Sequence, residues 1–136
     1  KVLEQYYDKA KKAFPKAVEP LQATGELGLD KHDHALAADA FRAAAKLNAE
    51  DPEIWLGLAR ATADAEGDEA ETALKKALAL NPRMVGALLF EADHLIDGEA
   101  YDEAGAVLQR ALAVNPKSPE AWAYEAVLAH LKRDAN

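Results

Sequence analysis

Ala104-Gly105-Ala106-Val107-Leu108-Gln109-Arg110-Ala111-Leu112-Ala113-Val114-Asn115-Pro116 decides the fold, because the chain states this pattern four times. Moved back by 34 in the numbering, Leu108, Ala111, Asn115 and Pro116 become Leu74, Ala77, Asn81 and Pro82. A further step of 33 gives Phe41, Ala44, Asn48 and Ala49, and another of 34 gives Tyr7, Ala10, Phe14 and Pro15. A fixed period in this range marks an architecture of stacked repeats.

Working outward, each repeat reads as two helices, and the chain as all-α. Val2 to Ala13 places Leu3, Tyr7 and Ala10 on one face and stops at Pro15, which cannot continue a helix. By register it is the second helix of a repeat. A helix from Val18 tolerates Pro20 in its first turn and aligns Leu21, Thr24, Gly25 and Gly28. Its glycines each cost about 1 kcal/mol relative to alanine, so its stability must come from neighbours. Asp33 is positioned to cap the helix His34–Leu47. Pro52 opens a helix with Trp55, Leu58, Ala59 and Thr62 on one stripe, and Gly67-Asp68 separates it from Glu69–Leu80. The next pair runs through Leu88, Glu91, Ala92 and Leu95 to Asp97-Gly98, then back along Tyr101–Val114. Pro119 opens the last helix, with Trp122, Glu125, Ala126 and Ala129 in register.

First-helix landmarks Leu21, Trp55, Leu88 and Trp122 are spaced 34, 33 and 34, as are Tyr7, Phe41, Leu74 and Leu108, but the short steps fall at different places. One residue is therefore missing between Trp55 and Leu74, and the turn near residues 65–68 absorbs it with least harm. Eight helices follow, in one domain spanning 1–136: a leading second helix (1–15), full repeats at 18–51, 52–84 and 85–118, and a trailing first helix (119–136). Partial repeats at both ends suggest a piece of a larger protein.

Composition narrows the function. Alanine fills 32 of 136 positions, so large apolar anchors are few. Twenty-four acids against 16 bases leave a net charge of −8, which repels nucleic acid and acidic membrane and favours solubility or a basic partner. With no cysteine there is no disulfide framework and no thiolate ligand or nucleophile. No apolar run approaches the roughly 18 residues of a membrane span, and no signal-peptide pattern opens the chain. This composition is compatible with any compartment.

The joint recurrence resembles the tetratricopeptide repeat family, whose 34-residue frame reads W-x2-L-G-x2-Y, then A-x3-F, then P. Trp55, Leu58, Ala59, Thr62, Ala70, Leu74, Ala77 and Pro82 follow it in one repeat; Leu88, Glu91, Ala92, Leu95, Ala104, Leu108, Ala111 and Pro116 follow it in the next. Ala49 departs from the usual proline, and Glu91 and Glu125 stand where leucine is common, which predicts partial exposure there. Ala59, Ala92 and Ala126, with Ala70 and Ala104 opposite, let paired helices close, and Trp55 and Trp122 are expected to fill the core beside them. The resemblance implies a right-handed superhelical solenoid of antiparallel helix pairs, with first helices lining an inner curve that takes a partner's peptide or helix.

On that reading the free faces of the first helices form the candidate groove: Leu56 and Arg60; Leu89, Phe90, Asp93 and Asp97; Tyr124 and His130. Apolar side chains bordered by carboxylates suit a basic or apolar segment of a protein or peptide partner. Family members that hold a partner's terminal carboxylate use lysine and asparagine where Leu56-Gly57, Leu89-Phe90 and Ala123-Tyr124 stand here, so that mode is not expected. Lys31-His32-Asp33-His34 invites a metal but reads better as a solvated turn with a capping Asp33. No metal site and no cofactor is expected. The one serine, Ser118, lies between repeats, and no constellation for catalysis is present, so the expectation is an interaction scaffold and not an enzyme. The competing expectation is a structural spacer, an oligomerisation arm self-associating through the open repeat ends, or the regulatory flank of a catalytic domain outside this segment.

Overall fold

The computed structural model describes Gln5 and residues 18–135. Those residues form seven α-helices and no strand: α1 (Val18–Asp30), α2 (His34–Leu47), α3 (Pro52–Thr62), α4 (Glu69–Leu80), α5 (Val85–Asp97), α6 (Tyr101–Val114) and α7 (Pro119–Ala135). The expected helix Val2–Ala13, with Tyr7 and Ala10, lies outside the described residues. The chain divides into two compact units, Lys1–Leu80 and Asn81–Asn136.

Short polar side chains punctuate the helices as their positions in the repeat require. Asn48, Asn81 and Asn115 each accept a hydrogen bond on the side-chain carbonyl from the backbone N–H two residues on, at 3.2, 3.1 and 3.1 Å. That local bond holds the turn between repeats and explains why asparagine recurs there. Asp33 accepts from the Leu36 N–H at 3.2 Å, Asp51 from the Glu53 N–H at 2.9 Å, and Ser118 from the Ala121 N–H at 3.2 Å, each satisfying a donor that a helix start leaves open. The lone serine is thus a cap. Each turn inside a pair carries one residue at positive φ: His32 (58°), Gly67 (102°) and Glu99 (60°).

In the first unit, α1 packs on α2, α2 on α3 and α3 on α4, with α1 also reaching α3. Phe41 on α2 is 1% exposed. Its ring occupies the space beside two first helices, since a Cβ at Gly25 would stand 2.7 Å from it and one at Gly57 would stand closer still. At Gly28, a Cβ would come within 3.0 Å of the Ala37 Cβ. The glycines that weaken α1 as an isolated helix are what admit its neighbour.

In the second unit, α6 packs between α5 and α7, and α5 also meets α7. Leu88, Ala92, Ala104, Leu108 and Ala111 are all at 0% exposure, so alanines close this pair as the repeat predicts. Glu91 and Glu125 are half-buried and each meets a polar side chain of α6: the Arg110 guanidinium lies 4.0 Å from Glu91, and the Gln109 amide donates to Glu125 at 3.1 Å.

The tryptophans depart from expectation. Trp55 is half-buried and Trp122 is 56% exposed. Each indole N–H donates at 2.8 Å to a backbone carbonyl six residues earlier, that of Ala49 or Pro116. An indole N–H needs an acceptor, and core alanines and leucines supply none. Both rings therefore fold back over the turn between repeats. The buried place at that level goes to the preceding residue: Ile54, Ala87 and Ala121 are each at 0% exposure.

Candidate partner-binding faces

Burial sorts the expected groove residues. On α3, Leu56 is 2% exposed and serves the core, because α3 is packed by α1, α2 and α4 and buries two stripes where a single stripe was expected. Leu56 is withdrawn from the groove. Arg60, at the last turn of α3, remains exposed. On α5, Leu89 and Phe90 are half-buried while Asp93 and Asp97 are exposed. On α7, Tyr124 is half-buried and His130 exposed, and the His130 ring nitrogen lies 3.3 Å from Asp134 one turn on.

Two of these residues meet directly. The Tyr124 hydroxyl donates to an Asp93 carboxylate oxygen at 3.0 Å, joining the free faces of α7 and α5 within the second unit. The phenol thereby presents an apolar ring edge beside a fixed negative charge. Val127, one turn beyond Tyr124, is 49% exposed. An apolar patch with a carboxylate already oriented by a phenol can seat an aliphatic stem and pair its cationic head.

The first unit carries a feature that sequence spacing did not single out: an open cleft of about 430 Å³ lined by His34, Asp39, Arg42, Thr62, Asp64 and small alanines. Arg42 is engaged inside it. Its guanidinium donates to both Glu69 oxygens, at 2.8 and 2.7 Å, and to Asp39 at 3.0 Å. Arg42 and Glu69 are 27 residues apart on helices of different repeats, so no local pattern announces the pair. The hydrogen bond from Arg42 holds the Glu69 carboxyl below the ordinary carboxylate range, and the Arg42 guanidinium is raised in turn. A depressed carboxyl stabilises the fold above its unfolded-state pKa and loses that contribution as pH falls through the folded-state value. Both side chains are over two-fifths exposed, which limits the effect to under about 1 kcal/mol. Arg42→Ala is expected to lower the urea midpoint slightly at neutral pH and to leave it unchanged once the medium is acid enough to protonate Glu69.

At the His32–His34 turn the two rings stand 6.2 Å apart and tilted, and Asp33 is committed to its cap. Among the described residues, no group of three or more histidines, cysteines or carboxylates is placed to hold a metal ion.

Residues 61–131 match a family model described as tetratricopeptide repeat, and residues 23–68 match a second model of the same description. The chain belongs to the tetratricopeptide repeat family. Solved structures share the fold: the tetratricopeptide repeat domain of Arabidopsis OM64 is 23% identical with a TM-score of 0.77, over 84% of this chain and 95% of that one. MamA is 23% identical with a TM-score of 0.80, over 93% and 74%. The first tetratricopeptide repeat domain of Spaghetti (RPAP3), solved with the HSP90 peptide SRMEEVD, is 18% identical with a TM-score of 0.78, over 85% and 95%. No curated protein matches the chain. The tetratricopeptide repeat fold supports a protein-interaction scaffold, and no helix among the described residues is long and apolar enough to cross a membrane.

Proposed function

We propose that the chain is an interaction scaffold whose first-helix faces receive a basic, partly apolar segment of a protein partner. The observation that carries this reading is the Tyr124–Asp93 hydrogen bond at 3.0 Å, flanked by half-buried Leu89 and Phe90 and by exposed Val127. Net charge of −8 supports the same polarity. The Spaghetti domain is solved with a peptide rich in acids, SRMEEVD. Here Asp93 and Asp97 border the apolar residues of α5, so like charge disfavours such a ligand and opposite charge favours a lysine- or arginine-bearing one.

A synthetic peptide alternating lysine and leucine, titrated into the labelled chain, tests this. Amide shifts are expected at Leu89, Phe90 and Tyr124, weakening as salt rises. The double substitution Phe90→Ala, Tyr124→Ala is expected to abolish binding while leaving helicity intact. Equal binding of an acidic peptide, or of the double variant, contradicts the proposal.

A further inference from the structure

Four alanines hold open the cleft of the first unit. Ala35, Ala38, Ala61 and Ala65 all line it. They stand two repeats before Asp102, Gly105, Leu128 and Lys132, in that order. In the second unit those four residues meet. A Cβ at Gly105 would stand 3.5 Å from a Leu128 methyl and 3.8 Å from the Lys132 ammonium nitrogen, and that ammonium pairs with Asp102 at 3.2 Å. Leu128 is 3% exposed. An aliphatic side chain and a lysine one turn further along α7 thus close over α6. In the first unit alanine stands at both of those places. α2 and α4 pack on α3 but not on each other, and the Arg42–Glu69 pair spans the gap between them. A space of about 430 Å³ stays open there.

The cleft keeps the polarity of its filled counterpart. Ala38, Ala61 and Thr62 are buried in its floor, and the Thr62 hydroxyl is spent on the Leu58 carbonyl at 2.8 Å. Asp39 and Asp64 line it and are exposed. Arg42 is the cation at the rim, already held by Glu69 and Asp39, so three carboxylates surround one guanidinium. Among the described residues, no hydrogen bond or ion pair engages the Asp64 carboxylate. An aliphatic stem lying on the alanines can bring an ammonium to that charge. We infer that the cleft takes a helical segment of a protein partner that presents an aliphatic residue and, one turn on, a lysine. That segment supplies from outside what Leu128 and Lys132 supply within the second unit, and Asp64 receives its ammonium. The site rests on the scaffold reading but shares no residue with the Tyr124–Asp93 groove.

A synthetic helical peptide of about 16 residues tests this, built of alanine and glutamine except for one leucine and one lysine four places on. In the alternating peptide used for the groove, leucine and lysine never stand four apart. Titrated into the labelled full chain, the helical peptide is expected to shift the amides of Ala38, Ala61 and Asp64. The Phe90→Ala, Tyr124→Ala chain is expected to bind it as the parent does, so failure here and failure of the groove are told apart. Asp64→Asn is expected to weaken binding about threefold, as loss of an exposed ion pair does. Ala61→Leu with Ala65→Lys fills the cleft from within and is expected to abolish binding; should that variant lose helicity, Ala35→Leu at the exposed rim takes its place. Absence of binding, shifts confined to the first-helix groove, equal binding of a peptide with glutamate for lysine, an Asp64→Asn chain that binds as the parent does, or a filled cleft that still binds would each overturn the inference.

Discussion

Phe41→Ala is expected to destabilise the first unit by about 3–5 kcal/mol, the range for truncating a large buried aromatic. Phe41 is 1% exposed and is the largest fully buried side chain of the described residues. Its ring abuts α1 at Gly25 and α3 at Gly57, so its removal opens a void against two first helices together. In an array held by nearest-neighbour interfaces, both contacts weaken at once. Urea unfolding followed by circular dichroism checks this: the first unfolding transition should move to much lower urea or vanish into the baseline. A shift of the size seen for a surface substitution would mean that the ring does not hold these helices together.

Gly57→Ala carries the opposite sign from the one helix propensity gives. In an exposed helix the change stabilises by about 1 kcal/mol. Here the added Cβ would meet the Phe41 ring, and overpacking of this kind costs about 1–3 kcal/mol. The expected net result is destabilisation, partly relieved by Phe41→Leu in the same chain, so the double variant should be less destabilised than the two single changes added together. A Gly57→Ala protein more stable than its parent would show that α2 stands further from α3 than described.

Much of this packing was legible in the order of residues, and what was not has identifiable causes. The steady lag from Phe41 to Leu74 to Leu108 located the helix pairs, and capping chemistry located their starts at Asp33 and Pro52. The weak helix α1 was legible as one that must lean on a neighbour, though Phe41 as that neighbour was not. Trp55 and Trp122 were misplaced because hydrophobic register says where a large ring falls along a helix but not whether its N–H finds an acceptor. Leu56 was misplaced because a helix flanked on several sides buries more than one stripe. Of the candidate groove, Tyr124 and Asp93 stood on one expected surface and the structure joins them by a hydrogen bond. The Arg42–Glu69 pair lay beyond reach, since it depends on how two repeats approach each other and leaves no periodic trace.

The most direct test is a nuclear Overhauser measurement from the Phe41 ring protons. If small residues at a fixed lag let a second helix wedge between two first helices, and so leave the remaining first-helix faces for a partner, cross-peaks must reach the α-protons of both Gly25 and Gly57. Cross-peaks to only one of them, or to neither, would contradict it.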